Sequence, residues 1–340
     1  MARLTFILII LGYFGLSIPA GTDPGPIDEM PVGQLLAELG DHSLDSHSPD
    51  LGIRNTSVEA GKSIVYAGYG IKANGKKGKR VSRHFECIAC HNTVREDPDL
   101  LDPDPQARLT YASEHGIPFL QGTTFYGITN RTSFYNGDYE KKYGDLVDRA
   151  RHNIREAIQV CATECSQGRR LKDWEVESLL MYFETIQIKV GDLDLSDEEK
   201  DNVTKALSAH SGRDSAVALI KSKYLDYSPA HFVDPPADRQ AGNQLEGDPA
   251  NGKLIYDLSC MHCHAQKRYS FFALDDQKMT YRFLAHHFPK YSKHSIYQVG
   301  RYGTSPLMLK RAYMPNYTIE KMSRQQMEDL RAYIEARAHG

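Results

Sequence analysis

The chain has little net charge. Its 41 Lys and Arg against 44 Asp and Glu leave −3 over 340 residues, which argues against nucleic acid or an anionic membrane surface as a partner. Long apolar runs are also missing, and the stretch at residues 6–16 is too short to cross a bilayer comfortably. No nucleophile–base pair and no phosphate-binding loop stands out to demand hydrolytic or phosphoryl chemistry. Tryptophan occurs once, against 20 Tyr and 12 Phe; such rings suit cofactor pockets and ordinary cores alike. Cysteine is limited to six, so its placement is informative.

Four of the six form two copies of one pattern, Cys87-Ile88-Ala89-Cys90-His91 and Cys260-Met261-His262-Cys263-His264. C-x-x-C-H is the attachment sequence for c-type haem. Two thiols at that spacing add across the two vinyl groups of one porphyrin, and the following histidine is held against the iron. A zinc site is the competing reading, but it needs a second ligand pair at matching spacing. The expectation is two covalently bound haem c groups, with Cys87, Cys90, Cys260 and Cys263 as thioethers and His91 and His264 as iron ligands. At 340 residues the chain is long enough for two ordinary domains.

The N-terminus reads as a secretory signal over residues 1–20, with Arg3, the short apolar run and the small Ala20. No cysteine follows as a lipid acceptor, and haem attachment takes place outside the cytoplasm, so a periplasmic location is expected, with no transmembrane span once the signal is removed. Residues 21–50, rich in Pro, Gly, Asp and His, read as a flexible lead with one or two helical turns around residues 32–39, and order is expected from near Leu51.

Two stretches then echo one another. A helix begins at Ser57 as N-cap with Gly61-Lys62 inside it, and a second carries Gly252-Lys253. Each precedes a C-x-x-C-H, at 25 and 7 residues from lysine to cysteine. The first copy's extra residues include the basic loop 72–80, either a solvated loop or a docking patch for an acidic redox partner. After His91 the chain reads as irregular, with three prolines in residues 96–105 and a Gly-, Tyr- and Asn-rich run to residue 143; helical spacing returns over residues 144–157. The helix read from residue 171 to about 188 aligns without gaps, over its first 15 residues, on 322–336, pairing Leu171 with Met322, Leu179 with Leu330 and Tyr182 with Tyr333.

On these motifs and repeats the chain resembles a tandem, di-haem class I c-type cytochrome, over roughly residues 55–190 and 245–338. The resemblance implies a mainly α fold of two class I cytochrome c domains, residues 51–190 and 242–340, joined by an acidic, helical linker at 191–241. It also implies N- and C-terminal helices packed together beside each haem, and a methionine ligand before the last helix. Met314, eight residues before Met322, stands in that place, with Met308, His286 and His287 as rivals. Arg301 is the candidate for a haem propionate.

The first repeat departs from the pattern. Its equivalent position is Thr163, flanked by Cys161 and Cys165. These two could form a disulfide in an oxidising compartment. One could instead place a thiolate on the iron, as in the sulfur-oxidising di-haem cytochromes the chain also resembles. His115 or His152 could serve as ligand, or the iron could stay open. The leading expectation is an electron carrier between a respiratory donor and a periplasmic redox enzyme or oxidase, with donor and acceptor unspecified. A haem enzyme oxidising a sulfur compound such as thiosulfate is the alternative, ahead of a di-haem peroxidase. A haem subunit of a larger respiratory complex is a third reading.

Overall fold

In the computed structural model, residues 27–209, 211–304 and 313–340 are described; the leader read at residues 1–20 lies outside them. Regular structure among the described residues is helical, accompanied by three isolated β-bridges. The protein is mainly α, as expected. No helix among these residues is long and apolar enough to cross a membrane.

Eleven helices carry the argument: α1 (Val32–Glu38), α2 (Val58–Ala67), α3 (Pro105–His115), α4 (Ile154–Val160), α5 (Asp173–Glu184), α6 (Asp197–Ala209), α7 (Arg213–Lys221), α8 (Pro249–Ile255), α9 (Lys278–His287), α10 (Ile296–Tyr302) and α11 (Arg324–His339). Side-chain oxygens cap α2 and α11. Ser57 accepts from Ala60 N at 3.0 Å, and Ser323 accepts from Gln326 N at 3.0 Å while Gln326 accepts from Ser323 N. Both satisfy amides that have no partner within the helix.

The repeat is a packing repeat. α2 crosses α5, and α8 crosses α11. At each crossing a glycine lies on the facing backbone: Gly61 against the Ser178 carbonyl and Tyr182 Cβ, Gly252 against the Asp329 carbonyl and Tyr333 Cβ. Ser178 and Asp329 occupy matching positions in the ungapped alignment of the two closing helices. Glycine is required here because a methyl group has no room between the backbones.

Three expectations need correction. Residues 21–50 are not simply a lead, because Val32, Leu35 and Leu36 are fully buried in a core with Val190, Val203, Ala216 and Ile220. The 191–241 segment is more than a connector for the same reason: α6 and α7 supply the other side of that third core. The segment after His91 contains α3, started by Asp104, whose carboxylate accepts from Gln106 N at 2.7 Å, and ended by Gly116 at φ +63°. Leu109 and Ala112 of α3, with Phe119 beyond it, pack with Ile255, Tyr256 and Tyr281 of the second half. The two halves therefore interleave.

The helical spacing over residues 144–157 resolves into two pieces. Asn153 caps α4 afresh, accepting from Arg155 N at 3.0 Å, and Leu146 faces outward at 45% exposure while Val147 and Ala150 are buried.

Candidate functional site

The two C-x-x-C-H segments meet. His262, inside the second, approaches the Ile88 carbonyl at 3.1 Å, and the Cys263 thiol points to the Ala89 carbonyl at 3.6 Å. Around them Phe85, Ala89 and Tyr269 form a small buried cluster that Cys90, Cys263 and Tyr313 border. The first cysteine of the second motif ends a π-turn, Tyr256–Cys260, continuous with α8.

Both motif histidines are oriented alike. His91 Nδ1 lies 2.7 Å from the Thr123 carbonyl, and His264 Nδ1 lies 2.8 Å from the Phe272 carbonyl. A carbonyl only accepts, so each Nδ1 carries the proton and each Nε2 keeps its lone pair for a metal. His91 is further held by stacking on Phe125 at 4.5 Å. Burial pushes the Cys87, Cys260 and Cys263 thiols up to about 12, so they are neutral. Among the described residues no group of three or more His, Cys, Asp and Glu converges as a zinc site would require.

Cys87, Cys90 and His91 open onto a cavity of about 390 Å³. Ile64, Phe85, Phe125, Leu179 and Phe183 give it an apolar wall, and Tyr135, Tyr139, Tyr143 and Tyr313 give it an aromatic one. Two thiols, an imidazole with a free Nε2 and an apolar chamber suit a flat apolar cofactor attached through sulfur.

Cys161 and Cys165 line the same cavity. A π-turn, Cys161–Cys165, continues α4 and brings both to one face, the wider turn nearly superposing residues four apart. Both are free thiols. Cys161 and Tyr313 hydrogen-bond to the Cys165 sulfur; these bonds hold the Cys165 thiol below its usual value against the opposing effect of burial, while Cys161, as the donor, is pushed up.

The other candidates divide. Met314 lines this first cavity, its amide donating to Thr304 Oγ1 at 2.7 Å. Its rival Met308 lies outside the described residues. His115 is exposed, stacked on Tyr111 at 3.8 Å, and His152 is exposed near the Thr132 carbonyl at 3.3 Å; neither borders the cavity. His287 packs between Phe283 and His294, with His286 beside it on the outer face of α9. Arg301 is buried; its guanidinium donates to the Met322 carbonyl at 2.8 Å and the Ser323 carbonyl at 2.9 Å, fastening α10 to the start of α11.

Sequence reasoning missed Glu96. Its side chain is 1% exposed and fully subscribed. Oε1 accepts from Lys321 Nζ at 2.8 Å and Thr124 N at 3.1 Å, and Oε2 accepts from Asn92 Nδ2 at 2.8 Å with Arg108 at 3.5 Å. The neighbouring cations and these bonds overcome burial and hold the carboxyl at about 2. The only hint in the sequence was an acid among irregular residues.

No family model, curated protein or solved structure matches the chain.

Proposed function

We propose that the chain is an exported di-haem c-type cytochrome, with one haem c attached at Cys87 and Cys90 and held by His91, the other at Cys260 and Cys263 and held by His264. The observation that carries this reading is the pair of C-x-x-C-H segments in contact, each with its histidine Nδ1 tied to a carbonyl. When bound, the two irons supply one-electron redox chemistry. The chain keeps each imidazole in one tautomer, excludes water with the aromatic wall, and holds the two attachment segments side by side. Electron transfer between redox partner proteins is the function this arrangement supports best. Alkaline pyridine spectra of the purified holoprotein should give two haem c per chain, falling to one in Cys87→Ala/Cys90→Ala and in Cys260→Ala/Cys263→Ala. A chain that matures without covalent haem would falsify the reading.

One observation favours a second reading, oxidation of a sulfur compound: Cys161 and Cys165 face the cavity that holds His91. In that case the oxidised protein has a thiolate-type low-spin EPR signal, and thiosulfate reduces it. Both properties should vanish in Cys161→Ser/Cys165→Ser. An unchanged spectrum in the double variant leaves the carrier reading standing alone.

A further inference from the structure

Thr123 C=O and Thr124 N–H belong to one peptide group. Its oxygen accepts from His91 Nδ1, at 2.7 Å, and its N–H donates to Glu96 Oε1, at 3.1 Å. A carboxylate on the N–H side polarises the amide and makes its oxygen a stronger acceptor, so the imidazole proton is held more tightly and Nε2 becomes more basic. The Glu96 oxygen is shared. Lys321 Nζ, from the turn that precedes α11, sits on the same Oε1 at 2.8 Å and withdraws charge from it. Asn92 and Arg108 hold the other oxygen and fix the carboxylate in place. The second motif is built differently: its peptide is Phe272–Ala273, and Ala273 is exposed to solvent.

We propose that Glu96 is a positioning residue that sets the donor strength of His91 through the Thr123–Thr124 peptide, and that Lys321 from the second half of the chain weakens it. The inference rests on the di-haem reading. A more basic imidazole stabilises the ferric state, so the two residues act on the first haem with opposite sign.

The test is a potentiometric titration of the holoprotein followed by absorbance, with the His91 Nδ1–H proton resonance of the reduced protein as second readout. Glu96→Gln should raise the reduced-to-oxidised ratio of the first haem at fixed potential about tenfold, or about 59 mV for one electron. Lys321→Gln should lower it about threefold. The His91 Nδ1–H resonance should move upfield in the first variant and downfield in the second, while that of His264 stays in place. Simple through-space charge effects would shift the potential without moving the His91 resonance, and that outcome overturns the proposal. So does a potential that stays put in Lys321→Gln, or shifts the same way in both variants. If Glu96→Gln does not fold, the sign of Lys321→Gln decides alone. Wild-type protein without haem overturns the di-haem reading and this inference together, whereas unmoved potentials in haem-loaded protein overturn only the inference.

Discussion

Alanine at Gly61 or at Gly252 is expected to destabilise the protein by about 3 kcal/mol or more, the upper range for forcing atoms into a packed interior. At each position the new methyl carbon would lie inside the contact distance of a facing backbone carbonyl, Ser178 or Asp329, and 2.8 Å from a tyrosine Cβ. A flexible side chain could step aside, but a carbonyl within a helix cannot. Relief requires the helices to separate, which uncovers Ile64 and Leu180 in one half or Ile255 and Ile334 in the other. Urea unfolding of the two single variants measures the loss, and a cost under about 1 kcal/mol at both sites would mean that the crossings are looser than described.

Acid should act through Glu96. Its carboxyl sits at about 2 in the folded protein against 4.5 for the free side chain. A depressed folded value means the stabilisation is complete above about pH 4.5 and is lost as pH falls towards 2. The difference corresponds to about 3 kcal/mol. Glu96→Gln leaves Arg108 and Lys321 buried without their counter-charge, which should cost about 3–5 kcal/mol at neutral pH. The gap between wild type and variant should then close steadily from pH 5 to pH 3. Parallel curves over that interval would show that another group carries the acid sensitivity.

Local signals in the sequence were sufficient for the repeat. The Gly-Lys pair, the capping residues and the Tyr182/Tyr333 correspondence all reappear as two equivalent helix crossings, because they encode contacts that recur at fixed register. The C-x-x-C-H spacing singled out the residues that converge. Signals at α3 were present as well: Asp104 before Pro105, and Gly116 after His115, are start and stop marks. The prolines and acids ahead of them disguised the helix, and its sparse apolar pattern gives only Leu109 and Ala112 to the core.

The Glu96–Lys321 pair was beyond reach, since its members lie 225 residues apart and neither carries a motif. The contacts of Arg301 were beyond reach for a related reason: no motif announces that it satisfies the Met322 and Ser323 carbonyls ahead of α11. Met314 shows the limit of alignment by offset: the second repeat's register assigned it to the second motif, whereas its loop borders the cavity of the first.

The interleaving of the halves bears on how the chain assembles. A ribosome delivers the first motif long before the second, yet Leu109, Ala112 and Phe119 find their partners only when Ile255 and Tyr256 arrive, and Glu96 waits for Lys321. Such distant pairings close late, because chain entropy must be lost before any contact forms. Until the second half is in place, the chamber that Cys87 and Cys90 line lacks Tyr313 and Met314 from its wall.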